Sequence, residues 1–435
     1  MNSLDQYIEL FEANRSVVES NSAAVLNSAR EGALETLRRL GRLPEKGDEG
    51  YPCISLAEMF APDYGINIGR VNFGLPHIPV GCDSPLNGRA SAVILNDSVA
   101  EIGSVAEGVE IVPFSSMAAT SFNQIAPAHN PVVALNSLLA QEGLMIRIGR
   151  NARVSTPVQI LSTFNSSQPM MAVRRIRIVV EAGARGSVLL CDHPLDGAAD
   201  NLSCRVVEIE LGQDASLDLY DLEEASTASR RASVTASVQQ RGSSLNICSL
   251  SLSGGTTRNE FYPVFEGEGC SVRIGGMVIA GGNQIVDNSV WLKHSHPRCS
   301  SDQLFKYALF GDARGSFEGL VEVAHGAVDT IAHQTNRNLI AGAEARMYAM
   351  PQLEIYCDEV KASHGSATGQ LDEQALFYMR QRGIPEADAR MMLVNAFMTD
   401  VLDNISNEVL RERLRHLVEL RLRGGESMCN GCKPY

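Results

Sequence analysis

Helical periodicity marks the beginning of the chain. Apolar residues recur there at three- and four-residue steps, which place them on one face of a helix. The positions at these steps are Leu26, Ala29, Ala33, Leu37 and Leu40. Gly41 and Pro44 supply a stop signal after them. We predict an N-terminal helical region over residues 1–47, followed by a mixed irregular segment over 48–130 that leads into the core.

Short Val/Ile/Leu runs of strand length, separated by glycines, fill the zone that follows. One phrase recurs in it: a glycine, a few small or polar residues, then alternating apolar positions. Its copies begin at Gly183, Gly212, Gly242, Gly269, Gly311 and Gly342, and all but one of the steps between them are nearly equal. A nearly constant step indicates one stacked unit, in which each coil covers the next. We predict a β-helix over residues 131–368; a large β-sandwich is the alternative, which the long step disfavours.

The last zone is helical again, and we predict a C-terminal helical region over residues 369–425 with a tail at 426–435. A first helix runs from Leu371 to Arg382 and ends at Gly383. Pro385 opens a second helix, because proline is tolerated in a first turn. A third helix runs from about residue 407 to residue 423. The second helix has an apolar stripe that must be buried: Met391, Val394, Met398, Val401, Leu402 and Ile405.

Charge and composition narrow the possible partners. The 37 Lys and Arg residues stand against 51 Asp and Glu, which gives a net charge of −14 and disfavours nucleic acid. No apolar run approaches the roughly 20 residues of a membrane span, and the first residues lack a secretory signal. Ten cysteines are too few for a disulfide scaffold in 435 residues. We therefore expect a reduced, cytoplasmic protein with no membrane partner.

Several chemical motifs can be weighed against simpler interpretations. The chain has no phosphate-loop or dinucleotide-binding motif, so any nucleotide chemistry is expected from another chain. Cys429 and Cys432 provide half of a zinc site, and no second pair completes it. His294, His296 and Cys299 have a spacing that suits Fe or Zn. The simpler interpretation, in which His294 and Cys299 fill the β-helix wall, is favoured.

The densest chemistry lies between residues 351 and 365, where the β-helix gives way to helices. This stretch contains His364, Cys357 and three acids, among them Asp358 and Glu359. Together with its flanks it resembles the SufB/SufD family of iron–sulfur cluster assembly scaffolds. The matching words are Leu353-Glu-Ile355, Asp358-Glu-Val-Lys361, Ser363-His-Gly365, Gly369-Gln-Leu-Asp372, Leu376-Phe-Tyr378, Arg382-Gly-Ile384 and, upstream, Phe305-Lys306 and Asn336-Arg-Asn-Leu339.

The resemblance implies an architecture and partners. The fold would be a right-handed parallel β-helix flanked by N-terminal and C-terminal helical regions. A SufB-like paralogue would pair through the β-helix, and a SufC-like ABC ATPase would bind the C-terminal helices. A homodimer is possible in isolation. Ser363-His-Gly365 favours the SufD type, because the SufB type would have an acid after the histidine.

The resemblance also implies a site for a nascent iron–sulfur cluster that is transient and shared with the partner. His364 is the main candidate ligand, with Asp358, Glu359 and Cys357 as weaker ones. The cysteine that the family often has two residues before the histidine is Ala362 here, and Cys357 would face the other way on a continuous strand.

The implied partner-binding residues are Leu376, Phe377, Tyr378, Arg382 and Gly383. The expected function is that of a non-enzymatic scaffold that binds no nucleotide. The alternative from another class is an enzyme built on a β-helix, either a carbohydrate lyase or an acyltransferase. Against it, the chain lacks the six-residue aliphatic repeat of the hexapeptide acyltransferases and the secretory signal of most such lyases.

Overall fold

A computed structural model describes residues 2–71, 90–118, 123–193 and 200–423 of the chain. Helices lie towards the two ends of the sequence. Within these ranges the α-helices are α1 (Asp5–Asn21), α2 (Ala24–Asn27), α3 (Arg30–Leu40), α4 (Leu56–Met59), α5 (Pro131–Leu139), α6 (Glu373–Gln381), α7 (Glu386–Leu402) and α8 (Glu408–Leu422), with a 3₁₀ turn at Phe114–Ser116.

Strands occupy most of the chain between these helices. They are β1 (Ala92–Leu95), β2 (Ser98–Ile102), β3 (Val109–Pro113), β4 (Leu144–Ile148), β5 (Val158–Thr163), β6 (Met170–Val180), β7 (Arg185–Asp192), β8 (Asn201–Leu211), β9 (Ser216–Glu223), β10 (Arg230–Gln239), β11 (Ser244–Ser251), β12 (Thr256–Phe265), β13 (Ser271–Ala280), β14 (Ile285–His294), β15 (Ser300–Leu309), β16 (Arg314–Val323), β17 (Thr330–Ile340), β18 (Arg346–Ile355) and β19 (Val360–Gly369).

The strands from β4 onwards alternate between two sheets. Sheet A has the order β18-β16-β14-β12-β10-β8-β6-β4-β3, and sheet B has the order β19-β17-β15-β13-β11-β9-β7-β5-β1-β2. Each strand from β6 onwards therefore pairs in parallel with the strand one coil earlier. A chain that returns to the same sheet on every coil is a β-helix, so the predicted fold class is confirmed.

Three apolar clusters hold the layers together. The first fills the interior of the β-helix between the two sheets. The second joins the N-terminal helices and α5 to the outer side of sheet A, where Val206 and Val234 are buried. The third joins α7 and α8 to the outer side of sheet B, where Leu250 and Met277 are buried. Helical regions thus cover both outer sides of the β-helix.

The apolar stripe of the second C-terminal helix is buried by this third cluster. Val394, Met398 and Val401 have no more than about one per cent of their surface exposed and pack towards sheet B. Lys306 of β15 fixes the same helix, since its Nζ donates to the Phe397 carbonyl at 2.6 Å and contacts Asp400 Oδ2 at 2.5 Å. The stripe therefore has its partner within the chain and is not free for another protein.

Left-handed residues form a column at the corner that leads from sheet A to sheet B, which we call the first corner. Gly183 and Gly242 both have φ near +70° there. The N–H of each donates to a carbonyl of the next coil, at 2.8 and 3.0 Å respectively. The column comprises Asn151, Gly183, Asp214, Gly242, Gly269, Arg298 and Asp329. The hydrogen bonds of this column continue the ladder between parallel strands around the turn.

The corners explain the one irregular step in the sequence repeat. Copies at Gly183, Gly212, Gly242 and Gly269 lie at the first corner. Those at Gly311 and Gly342 lie at the opposite, second corner, which leads from sheet B back to sheet A. The long step from Gly269 to Gly311 therefore passes from one corner to the other after a complete coil, and it is not a longer unit.

The start of the β-helix also differs from the expected boundary at residue 131. Residues 131–139 form helix α5, which Asn130 caps by accepting from two backbone N–H groups. Strands β1 to β3, from the segment expected to be irregular, precede it and join the sheets. Strand β1 pairs in parallel with β5, whereas β2 pairs antiparallel with β1 and β3 antiparallel with β4, so β2 and β3 lie outside the parallel repeat that the sequence pattern could detect.

The two ends of the β-helix are consequently different. At the N-terminal end, β2 and β3 are the last strands of the two sheets. At the other end, β18 and β19 are the last strands, and within the described ranges no strand pairs with their outer edges. We call the coil formed by β18 and β19 the open turn.

Candidate functional site

The open turn exposes the face that would be interior in any other coil. On β18 this face holds Ala349 and Leu353, which pair in register with Phe317 and Val321 of β16. On β19 it holds Ala362, His364 and Ser366. One wall of the mouth is thus apolar and the other largely polar. No other described strand lies above them, and these side chains are exposed or half-buried.

His364 lies at the end of a polar row along the interior of sheet B. It pairs in register with Gln334, which pairs with Gln303 on the coil before. Both glutamines are buried, and the Gln334 Nε2 donates to Gln303 Oε1 at 3.1 Å. His364 is exposed because it is the last member of the row. Its imidazole is therefore available at the mouth of the β-helix.

Two further polar pairs fix β19 beside His364. Ser366 Oγ donates to Asn336 Oδ1 at 3.1 Å, and the Asn338 Nδ2 donates to Thr368 Oγ1 at 3.1 Å. On the outer face of the same strands, His333 Nδ1 and Ser363 Oγ are 2.8 Å apart. These bonds hold the strand in register without using the His364 ring.

Asp358 and Glu359 lie in the first corner of the open turn and are exposed. The Glu359 carbonyl accepts from the Asp329 N–H at 2.8 Å, so its backbone completes the corner ladder. Their carboxylates remain on the outside of the turn region. Across the described ranges no three His, Cys, Asp or Glu side chains converge closely enough to bind a metal ion.

The expectation for Cys357 rested on a continuous strand and is wrong in that respect. Strand β18 ends at residue 355 and β19 begins at residue 360, so Cys357 lies in the corner between them. It is half-buried and packs against the interior apolar cluster, as Ala362 does. A thiol at this corner therefore lies on the inner side of the turn.

Helix α6 follows the open turn and presents aromatic side chains to solvent. Asp372 caps it by accepting from the N–H groups of residues 374 and 375. Phe377 and Tyr378 are 60% and 59% exposed, whereas Leu376 is 2% exposed. The Arg382 guanidinium donates to the Tyr378 hydroxyl at 2.9 Å and lies over its ring. Gly383 follows the helix with φ at +85°.

Of the predicted partner-binding residues, only some therefore face solvent. Phe377, Tyr378 and Arg382 are exposed, Gly383 shapes the turn that follows, and Leu376 is buried.

The His294, His296 and Cys299 motif does not converge on one site. His294 is buried, with its Nε2 2.9 Å from Ser301 Oγ and its ring against Phe265. Burial lowers the pKa of His294 to about 4. His296 Nδ1 is 2.9 Å from the Phe265 carbonyl, and Cys299 is buried at the first corner. The wall-filling interpretation fits His294 and Cys299. Cys429 and Cys432 lie outside the described residues.

Sequence reasoning missed the glutamine row that leads to His364. The signal was present, because Gln303, Gln334 and His364 recur at a spacing that matches the length of one coil. Interior positions of a β-helix are mostly apolar, so polar residues at this spacing indicate that the interior is unusually polar at the end beside His364.

A helix that crosses a membrane must be both long and apolar. No helix in the described part of the chain combines the length and apolar character that a membrane crossing demands.

Comparisons with known proteins match both parts of the chain to described families. The family described as the SUF system FeS cluster assembly, SufBD core domain matches residues 162–397, and the SufBD protein N-terminal region matches residues 1–160. An iron–sulfur cluster assembly SufBD family protein of Synechocystis sp. is 28% identical over 94% of this chain and 93% of its own length.

Two other relatives match over smaller parts. The iron–sulfur cluster assembly protein SufD of Escherichia coli is 36% identical over 41% of this chain and 42% of its own length. A SufBD family protein of Mycobacterium tuberculosis is 31% identical over 65% of this chain and 72% of its own length.

Proposed function

Since the chain belongs to the SufBD family and is a component of the SUF system for iron–sulfur cluster assembly, we propose that it is the SufD-type scaffold subunit. In this role it pairs with a SufB-like paralogue and binds a SufC-like ATPase. Together they build and hand over nascent clusters. The observation that carries the proposal is His364, held at the exposed mouth of an otherwise buried polar row.

Two features favour the SufD type within the family. Ser363-His364-Gly365 has no acid after the histidine. The relative from Escherichia coli, whose name includes SufD, is 36% identical over the part it shares with this chain.

The open turn supports pairing with a β-helix of the same kind. Exposed strand edges present unpaired N–H and C=O groups that another strand can use. Large apolar side chains of β18 are also exposed there, namely those of Tyr348, Met350 and Ile355. A paralogue with its own open turn would cover both the edges and these side chains.

A cluster at this mouth would be the cargo of the assembly, shared between two chains. A histidine imidazole is a common metal ligand through one of its ring nitrogens, and His364 is exposed at the mouth. Iron–sulfur clusters mostly require several thiolates. In this chain Cys357, half-buried at the corner, is the thiol of the open turn. We therefore assign the remaining ligands to the SufB-like partner, with Asp358 and Glu359 as sites of iron capture at the rim.

The cluster role is tested with His364→Ala in the co-expressed three-chain complex. We expect an intact complex that accumulates less than about a tenth of the parent's iron and acid-labile sulfide, because a ligand is missing while the fold of β19 is fixed by other bonds. Iron and sulfide are measured on the purified complex together with its yield. Normal cluster content would refute the ligand role.

His333→Ala is the matched control. His333 is an exposed histidine on the neighbouring strand, and its register partner is Ser363, beside His364. We expect that variant to retain both complex and cluster, because it removes the outer-face contact with Ser363 while the bonds of Ser366 and Thr368 still hold β19. If both variants lose the complex, the histidines have a structural role in the turn.

We place the ATPase contact on helix α6. The apolar stripe of α7 is buried against sheet B, so it cannot form this contact. Phe377 and Tyr378 remain exposed beside Arg382, and aromatic and arginine side chains are typical anchors of interfaces. Met392, in the first half of α7, is exposed as well.

The contact is tested with the double variant Phe377→Ala, Tyr378→Ala in a pull-down with the SufC-like ATPase. We expect binding to weaken by about tenfold or more, since two anchors are lost. Val409→Ala, an exposed apolar position on α8, is the control and should bind normally. Unchanged binding by the double variant would move the ATPase contact elsewhere, while leaving the His364 assignment intact.

The scaffold role is preferred to the β-helix enzyme because of the family to which the chain belongs. We also propose that this chain binds no nucleotide itself and that it acts in the cytoplasm. A homodimer in the absence of the paralogue would use the same open turn.

A further inference from the structure

Two thiols occupy equivalent positions on successive coils at the first corner. Cys270 follows Gly269 and Cys299 follows Arg298, both left-handed residues of the corner column. The next residues, Ser271 and Ser300, are partners in the parallel ladder of β13 and β15. The Ser300 N–H also donates to the Cys270 carbonyl at 2.9 Å. The two cysteines are therefore direct lateral neighbours.

Their sulfurs share one environment. Both side chains are buried. Cys270 Sγ lies 3.2 Å from the Gly267 carbonyl oxygen, and Cys299 Sγ lies 3.4 Å from the same oxygen. Adjacent strands are about 4.8 Å apart, which falls within the Cα separation that a disulfide spans. Among the cysteines that the structure describes, no other two are paired across adjacent coils.

Packing alone does not require sulfur at this corner. The equivalent positions on other coils hold small residues without thiols: Ala152, Ala184, Ala215, Ser243 and Thr330. Ser243 lies directly beside the pair, with its Oγ 3.7 Å from Cys270 Sγ. Serine therefore fits this column, and the two neighbouring thiols offer a chemistry that the other coils lack.

One of the two thiols ionises more readily than the other. The hydrogen bond between the two thiols lowers the pKa of Cys270 and raises the pKa of Cys299. The thiolate is the nucleophilic form of cysteine. We therefore expect the Cys270 sulfur to attack the oxidant first and the Cys299 sulfur to attack Cys270 in a second step.

We propose that Cys270 and Cys299 form a reversible redox pair, which a small peroxide oxidises to a disulfide across two coils. The Cys270 thiolate attacks one peroxide oxygen, which gives a sulfenic acid and, after protonation, one water. Cys299 then attacks that sulfur, and the sulfenic oxygen leaves as a second water. Two thiols and one hydrogen peroxide become one disulfide and two waters, and a dithiol reductant reverses the change.

The test uses the full chain with Cys429→Ser and Cys432→Ser, so that the tail thiols do not react. Native protein is treated with hydrogen peroxide, and a second sample is equilibrated in glutathione redox buffers so that the burial of the pair does not limit the outcome. We expect a mass loss of about 2 Da and a tryptic link between residues 259–273 and 299–306, both reversed by dithiothreitol.

Two variants of this background serve as controls. Cys299→Ser should abolish the link, and serine is tolerated at this corner, as Ser243 shows. Cys248→Ser removes a buried cysteine that pairs with Tyr220 and Gly275, so it should leave the link unchanged. Separate peptides in both treatments, while other thiols of the same sample become oxidised, would overturn the proposal. In that case the two cysteines act only as small apolar residues of the corner.

Discussion

At the residue scale, His294 shows how the fold can exclude a metal-binding role that the spacing of residues in the sequence would allow. His294 lies within the wall of the β-helix, with Ser301 as its hydrogen-bond partner and Phe265 against its ring. Burial lowers its pKa to about 4, because the charged imidazolium would lose its hydration there. The ring is therefore neutral in the folded protein at pH 7. It is a packing group with a polar edge.

This burial predicts a pH dependence of stability. Between pH 6.5 and 4 the unfolded chain takes up a proton at His294 and the folded chain does not, so stability is retained above pH 6.5 and falls as the pH decreases towards 4. From pH 7 to pH 5 the loss should be about 2 kcal/mol. Urea unfolding of the parent and of His294→Gln at both pH values measures it.

The variant should lack this part of the decrease, because glutamine does not titrate. Equal decreases in the parent and the variant would mean that His294 is protonated within the fold.

At the element scale, the first corner is the device that keeps the coils in register. Its left-handed residues donate their N–H groups to the next coil, so the turns are bonded as the strands are. Most of the column is glycine, asparagine or aspartate, the residues that tolerate this conformation best. Gly365 differs, because it lies within β19 and does not have a positive φ. It therefore does not turn the chain beside His364.

Gly242→Ala should destabilise the protein by about 1–2 kcal/mol, because alanine is strained at a positive φ. The added Cβ would also lie 2.3 Å from Asp214 Oδ1 of the previous coil. Gly365→Ala is the control: a Cβ there meets nothing within 4 Å, and we expect a change below about 0.5 kcal/mol. Urea midpoints at constant slope provide the comparison. A variant at Gly242 as stable as the parent would show that the corner does not require glycine.

The sequence predicted the repeating part of the fold well and the non-repeating part poorly. The glycine phrase indicated stacked coils because the first corner recurs at each coil with nearly constant length. Helices α6 to α8 follow their capping residues and the glycine and proline signals closely. Strands β1 to β3 were not predicted, since they are short and the antiparallel pairs β1–β2 and β3–β4 occur once each and produce no periodic pattern.

At the scale of the whole molecule, the β-helix has unequal ends and two covered sides. Helical regions cover the outer sides of both sheets, and antiparallel strands occupy the N-terminal end. Among the described strands, β18 and β19 of the open turn form one pair of sheet edges, and the shorter strands β2 and β3 form the other. His364 was predictable from the sequence motif, but its position at the end of a polar row depends on pairing between strands a full coil apart. Single motifs do not contain that information.

Hydrogen exchange should reveal this difference in the isolated chain. Amides of β18 and β19 should exchange faster than those of β12 and β13, because each has a strand partner on only one side. Addition of the SufB-like paralogue should slow exchange at β18 and β19 and leave β2, the edge at the other end, unchanged. If β2 became protected and the open turn did not, the paralogue would bind at the N-terminal end, and our proposal would be wrong.

The unequal ends also set how large an assembly can become. A β-strand edge that is open at both ends of a molecule permits endless head-to-tail addition and therefore filaments. Both ends of the described β-helix have sheet edges, but the ends are unequal: β18 and β19 have ten residues each, whereas β2 and β3 have five each and pair antiparallel with β1 and β4. Two molecules that met through their open turns would cover the long edges of both. Growth beyond two chains would then depend on the short edges of β2 and β3, so a strand order with unequal ends favours a closed pair over a filament.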